Sequence, residues 1–135
     1  MTKPLNLEHF PVHLGLGGQA HILPEFTGGM EWYEDYGTLH PDDGVDGRLV
    51  SMHTFHEAWQ SWEVHPLGAE IVLCTGGRMT LIQEFPDGRT ARVAIGPGEY
   101  AINAPGVWHT ADIDEGPATA VFITAGEGTE HRPPL

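Results

Sequence analysis

Two carboxylates and a histidine fall within eight consecutive residues of the segment Trp62-Glu63-Val64-His65-Pro66-Leu67-Gly68-Ala69-Glu70. On an extended strand, side chains two residues apart share a face, so Glu63 and His65 are expected to point the same way. The Pro-Leu-Gly stretch predicts a turn that brings Glu70 alongside them on the next strand. A second histidine, His109, follows a Pro-Gly turn later in the chain. Together these side chains are ligands typical of one divalent metal ion.

Each of these residues has a plainer interpretation when it is taken alone. Isolated histidines such as His65 and His109 are more often packing or surface residues than metal ligands. The combination is harder to explain by packing, because turn residues stand where the chain must bend to bring Glu63 and Glu70 to the same place. The joint pattern therefore favours a metal site formed by Glu63, His65, Glu70 and His109.

The first segment resembles the first motif of the cupin superfamily. That motif has a His-x-His pair, then a glutamate after three or four residues, then a glycine after six intervening residues. It maps onto position 63, His65, Glu70 and Gly77 of this chain. This chain departs from the motif at Glu63, which stands in place of the first histidine.

The second segment resembles the second cupin motif, in which a glycine precedes a Pro-x-Gly turn by five residues and a histidine follows that turn after two intervening residues. The motif maps onto Gly98, Ala104, Gly106 and His109, with Ala104 in place of the proline and Pro105 one position along. The resemblance covers about residues 48 to 125. It implies an all-β jelly roll, the double-stranded β-helix of the cupin barrel, with metal-dependent dioxygenase or isomerase chemistry.

The strand pattern supports the same fold class independently. From residue 48 onward, short runs rich in β-branched and aromatic residues alternate with turn signals, which predicts a sandwich or barrel. The predicted strands are Arg48–Phe55, Trp59–His65, Ala69–Cys74, Arg78–Phe85, Arg89–Ile95, Tyr100–Asn103, His109–Ile113 and Ala118–Thr124. We therefore expect residues 48–135 to form the cupin barrel.

Residues 1–47 are rich in glycine, proline and acidic residues and are expected to form an irregular N-terminal arm. The only place suited to a short helix is Met30–Tyr36. Because the aromatic side chains of the arm need a surface to cover them, it should lie across its own barrel or across a second subunit, which would make a homodimer. Alternatively, Trp32 or Tyr36 closes the mouth of the pocket.

The role of Glu63 has three alternatives. As a fourth ligand it would complete a set of two imidazoles and two carboxylates, which suits harder ions such as Mn(II) or Fe(II). Outside the coordination sphere, it could act as a catalytic general base beside a site formed by His65, Glu70 and His109. Thirdly, it could bind a histidine or arginine and leave a loosely held ion. The resemblance allows Fe, Mn, Ni or Zn as the cofactor.

Strand alternation predicts the wall of a ligand pocket. Trp59 and Ser61 share the face of Glu63 and His65, and Met79 belongs to an inward row on a later strand. Plain core packing is the stronger interpretation for Met79 and for Leu81 and Phe85 in the same row.

The remaining candidates lie near these segments. Trp108 either covers the ion or packs at an interface, and His53 and His56 are expected at the pocket rim or on the surface. Cys74 is expected to be a buried core thiol rather than a nucleophile.

Composition sets limits on the partners. The chain has 135 residues, 40% of them hydrophobic, which suits one domain with a real core. The formal net charge is −13 and Lys3 is the only lysine, so nucleic acids and anionic membrane surfaces would be repelled. With a single cysteine there is no internal disulfide, and no apolar run suits a membrane span. We expect a cytoplasmic protein that binds a small molecule.

Two functional hypotheses follow from the sequence. The first is a metal-binding cupin enzyme that acts on a small organic molecule. The second is a non-catalytic cupin that binds a small ligand or a metal, for example as a sensor, since one fold supports many roles. An enzyme needs an open coordination position and an acid or base near the substrate.

Overall fold

The structure is a computed structural model and describes residues 3–133. Its regular elements are β1 (Val12–Leu14), β2 (Ala20–Ile22), α1 (Met30–Tyr36), β3 (Arg48–Phe55), β4 (Trp62–Val64), β5 (Glu70–Glu84), β6 (Thr90–Ile95), β7 (Tyr100–Asn103), β8 (Trp108–Thr124) and β9 (Glu130–Arg132). Short 3-10 turns at Leu16–Gly18 and Pro41–Asp46 connect parts of the arm. The predicted all-β class and the predicted helix are both confirmed.

The strands form one curled antiparallel sheet. Its order is β2-β1-β3-β8-β4-β9, and β5 pairs with β6, β7 and β8. The two longest strands, β5 and β8, run alongside each other from the Glu70–Thr124 pair to the Glu84–Trp108 pair. This long pairing bends the sheet into a cup, because its register shifts between Cys74 and Met79.

Two pairs of predicted strands are joined in the structure. The segments predicted before and after Gly76 form the single strand β5, and β8 likewise spans both segments predicted on either side of residues 114–117. Gly77 lies in β5 with a φ of +67°, and a Cβ there would collide with the backbone of Pro117 and Glu115 on β8. Glycine at this position therefore permits a bulge within one bent strand, where the sequence had suggested a turn.

The main core fills the inside of the cup. It is built by side chains of β5, β6, β7 and β8 that alternate with outward residues along each strand. Its buried members are Val72, Cys74, Met79, Leu81, Ile95, Ala101, Ala111, Ala118, Ala120 and Phe122. A tight hairpin joins β5 and β6, with the amide of Phe85 donating to the carbonyl of Arg89 at 2.8 Å.

The arm extends the same chain's sheet and packs against it. Strand β1 pairs with β3, and β2 pairs with β1, so the arm is more regular than the sequence suggested. Its helix α1 buries Trp32 against Leu23 and Leu49 in a second hydrophobic cluster. This packing anchors α1 beside the open side of the cup. No helix within residues 3–133 is long and apolar enough to cross a membrane.

Candidate metal centre

The structure brings the four residues of the predicted metal site together. Glu63 lies on β4, His65 follows that strand, Glu70 begins β5, and His109 is the second residue of β8. The Cα atoms of Glu63 and His109 are direct partners in the antiparallel pairing of β4 with β8. One donor atom from each of the four side chains lies within 4.8 Å of the others.

Glu70 is the centre of this cluster. Its Oε2 lies 3.2 Å from Nε2 of His65, and its Oε1 lies 3.2 Å from Nε2 of His109. Glu63 is further away, with Oε2 at 3.7 Å from Nε2 of His65 and at 3.9 Å from Nε2 of His109. The Glu70 side chain is 4% exposed, whereas that of Glu63 is 30% exposed. Glu63 therefore forms the accessible side of the cluster.

Outer hydrogen bonds fix the tautomer of both imidazoles. Nδ1 of His109 donates to the carbonyl of Val107 at 3.1 Å, and Nδ1 of His65 lies 2.8 Å from Oγ1 of Thr129. Thr129 donates its own proton to the carbonyl of Gly126, so it must accept from His65. In the neutral rings, both Nε2 atoms then carry a lone pair toward the cluster centre. Both are buried without a hydrogen-bond partner.

The Glu70 carboxylate is also held in place from outside the cluster. Thr124 donates to Oε2 at 2.6 Å, and the amide of Asn103 donates to Oε1 at 3.1 Å. Gln83 in turn donates to Oδ1 of Asn103 at 2.8 Å. All of these polar side chains are buried, so the carboxylate orientation is set by satisfied interior hydrogen bonds.

The charges of the cluster reinforce one another. Burial by itself raises the pKa of Glu70, but the neighbouring His109 and His65 imidazoles outweigh it and hold the pKa well below its usual range. Burial opposes protonation of His109, yet the adjacent Glu70 carboxylate raises its pKa overall. Because its pKa is held low, Glu70 stays ionised and offers a carboxylate to a cation.

Sequence reasoning missed one residue of the site, His131. It lies on β9, directly opposite Glu63 in the β4–β9 pairing, and its Nε2 is 3.3 Å from Oε1 of Glu63. Its side chain is 39% exposed. The Glu-His-Arg run of β9 has no metal-ligand spacing to nearby residues, so only the strand pairing shows its relation to the cluster.

A cavity of about 990 Å³ lies between the barrel and α1, and Glu63, His65 and Glu70 belong to its lining. Trp59 and Ser61, two of the predicted pocket residues, also line it. The arm contributes Tyr33 and Tyr36, and further lining residues include His53 and His56. His53 is half-buried, which lowers its pKa, whereas His56 is exposed.

The structure places the other two predicted pocket residues elsewhere. Met79 is fully buried in the main core, because nine residues of β5, about 30 Å of extended chain, separate it from Glu70. Trp108 precedes His109 on β8 and therefore faces the opposite side of the strand. Its ring packs against the guanidinium of Arg132, whose carbon lies 4.6 Å from the ring centroid.

Two further expectations concern the arm and the thiol. Of the two residues proposed to close the pocket, Tyr36 lines the cavity, whereas Trp32 is 6% exposed and packs in the second hydrophobic cluster. Cys74 is a fully buried core thiol, as predicted.

Comparison with protein-family models and with curated protein sequences finds no match. Several solved structures are similar. Recombinant pumpkin pro-11S globulin aligns with a TM-score of 0.55 at 6% identity, over 64% of this chain and 23% of that chain. Oxalate decarboxylase of Lactobacillus farciminis, in a formate complex, aligns with a TM-score of 0.51 at 16% identity. That alignment covers 61% of this chain and 26% of that chain.

A third similar structure is hydroquinone 1,2-dioxygenase from Sphingomonas sp. TTNP3 with 4-hydroxybenzoate bound, at a TM-score of 0.50 and 15% identity. The alignment covers 57% of this chain and 59% of that chain. The chain has the cupin fold. It spans less than two thirds of the length of each of these three similar chains.

Proposed function

We propose that this cupin binds one divalent metal ion through Glu63, His65, Glu70 and His109, and that the metal centre acts on a small organic molecule in the adjoining cavity. The observation that carries the proposal is the pair of buried Nε2 atoms, on His65 and His109, that have no hydrogen-bond partner. Leaving buried polar atoms unpaired is costly, and a cation between them and Glu70 would remove that cost.

The spacing of the donor atoms supports the proposal. Ligands about 2.1 Å from a shared ion and at right angles to each other are about 3.0 Å apart, and wider angles increase the separation. The two Glu70 contacts at 3.2 Å match this spacing. The longer Glu63 contacts, at 3.7 and 3.9 Å, require a wider angle or a small side-chain movement.

The donor set favours particular metals. Two carboxylates cancel the charge of a divalent ion, and mixed oxygen and imidazole ligands suit harder ions. We therefore propose Mn(II) or Fe(II) ahead of Ni(II) or Zn(II). When bound, such an ion would supply Lewis acidity and positions for substrate or water.

Glu63 is the residue to which we assign a direct chemical role. It is the most exposed of the four, it lines the cavity, and it reaches both the cluster through Oε2 and His131 through Oε1. A carboxylate in this position can bind the ion or accept a proton from a molecule beside it. Glu63 lies further from the two imidazoles than Glu70 does, and this distance supports the proton-accepting role for Glu63.

A non-catalytic binding cupin is the second candidate. It is favoured by the two carboxylates, since a neutralised ion activates bound water less strongly. The cupin fold itself does not decide between the two, because pumpkin globulin and hydroquinone dioxygenase both have similar structures. The accessible cavity beside Glu63 favours the enzyme.

Elemental analysis of the protein purified without added metal tests the metal site. We expect close to one equivalent of Mn or Fe, and loss of it in the double variant His65→Ala/His109→Ala. The control is His9→Ala/His56→Ala, which removes two exposed histidines outside the cluster. Equal metal content in the two double variants would rule out the proposed site.

Water proton relaxation of the Mn(II)-loaded protein separates enzyme from binder. An enzyme must keep a coordination position open to solvent or substrate. We expect relaxation enhancement from at least one exchanging water on the ion. An ion without any exchanging water would favour the binding protein instead.

A further inference from the structure

Negative charge predominates in the lining of the cavity. Five carboxylates belong to its lining, and no lysine or arginine of residues 3–133 does. The carboxylates are Glu34, Glu57, Glu63, Glu70 and Glu127. A divalent ion at the metal centre would balance Glu63 and Glu70 only, so three negative charges would remain around the space where a ligand sits.

Two histidines of the lining, His40 and His53, have lowered pKa values. An ordinary histidine is neutral well above pH 6.5. Burial lowers the pKa of His53, and burial together with the neighbouring His13 and His21 lowers the pKa of His40. At about pH 8 these two histidines are neutral, and the lining contains acidic residues but no lysine or arginine of residues 3–133, so the cavity offers acceptors and negative charge.

Aromatic rings form much of the remaining wall. Their apolar faces can cover a ring or an alkyl body, and their electron-rich faces attract cations. The rings belong to Phe26, Tyr33, Tyr36, Phe55, Trp59 and Phe122. Trp59 and Phe122 are also in contact, with centroids 5.9 Å apart, so the wall is continuous in this region.

A chain of hydrogen bonds in the N-terminal arm orients the hydroxyl group of Tyr36, which lines the cavity. Asp43 lies 2.6 Å from Nε2 of the buried His13, and Tyr36 lies 2.7 Å from its Nδ1. Because the carboxylate of Asp43 can only accept from Nε2, neutral His13 must accept the proton of Tyr36 at Nδ1. The Tyr36 oxygen then faces other molecules as an acceptor only, which suits a ligand that donates hydrogen bonds.

We infer that the cavity beside the proposed metal centre takes a small organic cation, a molecule with an aromatic or apolar body and an amine, and discriminates against carboxylates of the same size. The inference rests on the proposed function in that it names the ligand class of the same site. The observation that supports it besides charge is the cavity itself, about 990 Å³ in volume, with its aromatic wall beside the cluster.

Three probes of nearly equal size test the ligand class: benzylamine, benzyl alcohol and benzoate. Their binding is measured by calorimetry or ligand-observed NMR at about pH 8, where ordinary histidines are neutral. We expect affinity to fall from benzylamine to benzyl alcohol to benzoate, with at least tenfold between the first and last. Equal affinities, tightest binding of benzoate, or no binding of benzylamine would each overturn the inference.

Paired charge variants locate the origin of the preference. Glu57→Gln/Glu127→Gln removes two carboxylates of the lining, and Glu25→Gln/Glu115→Gln removes two exposed carboxylates outside it. The net charge changes equally in both. We expect the preference for benzylamine over benzyl alcohol to fall about fivefold in the first variant and to stay unchanged in the second. Equal effects would mean that overall charge, and not the cavity, sets the preference.

The two proposals fail in different measurements. The probe series is repeated after treatment with a chelator, since the acidic and aromatic lining is present with or without the ion. If metal analysis finds no ion but benzylamine still binds best, the metal proposal alone is wrong. If the ion is present but benzoate binds best, the ligand class alone is wrong.

Discussion

Thr129 accepts a hydrogen bond from Nδ1 of His65 at 2.8 Å while it donates one to the carbonyl of Gly126 at 2.6 Å. In the neutral ring, this arrangement leaves the opposite nitrogen, Nε2, with a lone pair beside the Glu70 carboxylate, where a metal ion could bind both. A residue that is not itself a ligand thus determines what the imidazole can bind. The same is true of Val107 and His109 on the other side of the cluster.

Replacing Thr129 with valine should weaken metal binding about tenfold, because the ring of His65 loses the acceptor that fixes its tautomer. Titration with Mn(II), followed by electron paramagnetic resonance, measures the affinity. Thr119→Val is the matched control, since that hydroxyl bonds Thr54 away from the cluster. Unchanged affinity in Thr129→Val would show that the hydrogen bond does not orient the ring for an ion.

Asn103→Ala should destabilise the metal-free protein by about 1 to 3 kcal/mol, because it removes the buried hydrogen bonds that Asn103 donates to Glu70 and accepts from Gln83. Urea unfolding followed by circular dichroism measures the free energy. Asn6→Ala, which alters an exposed turn, should change it by about 0.5 kcal/mol or less. Similar values for the two variants would argue against a structural role for the buried network.

Changing Glu63 to histidine should shift ligand preference toward anions. The substitution removes one negative charge next to the proposed ion, so benzoate should bind more tightly while metal is retained. Glu63→Gln removes the same charge without adding an imidazole and serves as the comparison. Unaltered benzoate binding in both variants would mean that Glu63 does not act on the ligand through its charge.

Two tyrosines should titrate at unusually high pH. Burial, with smaller contributions from Glu63 and Glu70, raises the pKa of Tyr33 to about 12, and burial with Asp43 raises that of Tyr36 to about 12. Because the folded pKa exceeds the unfolded value of 10.0, the associated stability is complete below pH 10 and is lost as pH rises through about 12. Phenolate absorbance, assigned with Tyr33→Phe and Tyr36→Phe, gives each pKa.

The Glu63→Gln variant tests the cause of the Tyr33 shift. Removal of the Glu63 charge should lower the pKa of Tyr33 and leave the pKa of Tyr36 unchanged, since the charge that acts on Tyr36 belongs to Asp43. Parallel shifts of both tyrosines would indicate a general loosening of α1 instead.

Met79→Ala should cost about 2 to 5 kcal/mol of stability and leave metal affinity unchanged under conditions where the variant is folded. Met79 is fully buried in the main core and does not line the cavity. Urea unfolding and Mn(II) titration measure the two properties. Weaker metal binding by the folded variant would show that Met79 does contribute to the metal site.

Local pattern predicted the parts of the structure that depend on neighbours in the chain. The alternation of Glu63 with His65, the turn before Glu70 and the strand Tyr100–Asn103 follow from residue order alone. Motif spacing then predicted that His109 would lie near them, and the structure places it there. The position of Met79 relative to the site was harder to predict. Knowing that a side chain faces inward does not show how far along a long strand it lies.

The sequence by itself determined the β-rich fold class, the negative charge and the types of the four clustered side chains, because these follow from composition and short-range periodicity. Only the tertiary structure decided that β9 sets His131 against Glu63, that Thr129 fixes the ring of His65, and that α1 encloses the cavity. These relations join residues distant in the chain through strand pairing and side-chain packing. Such contacts leave no periodic trace in the residue order.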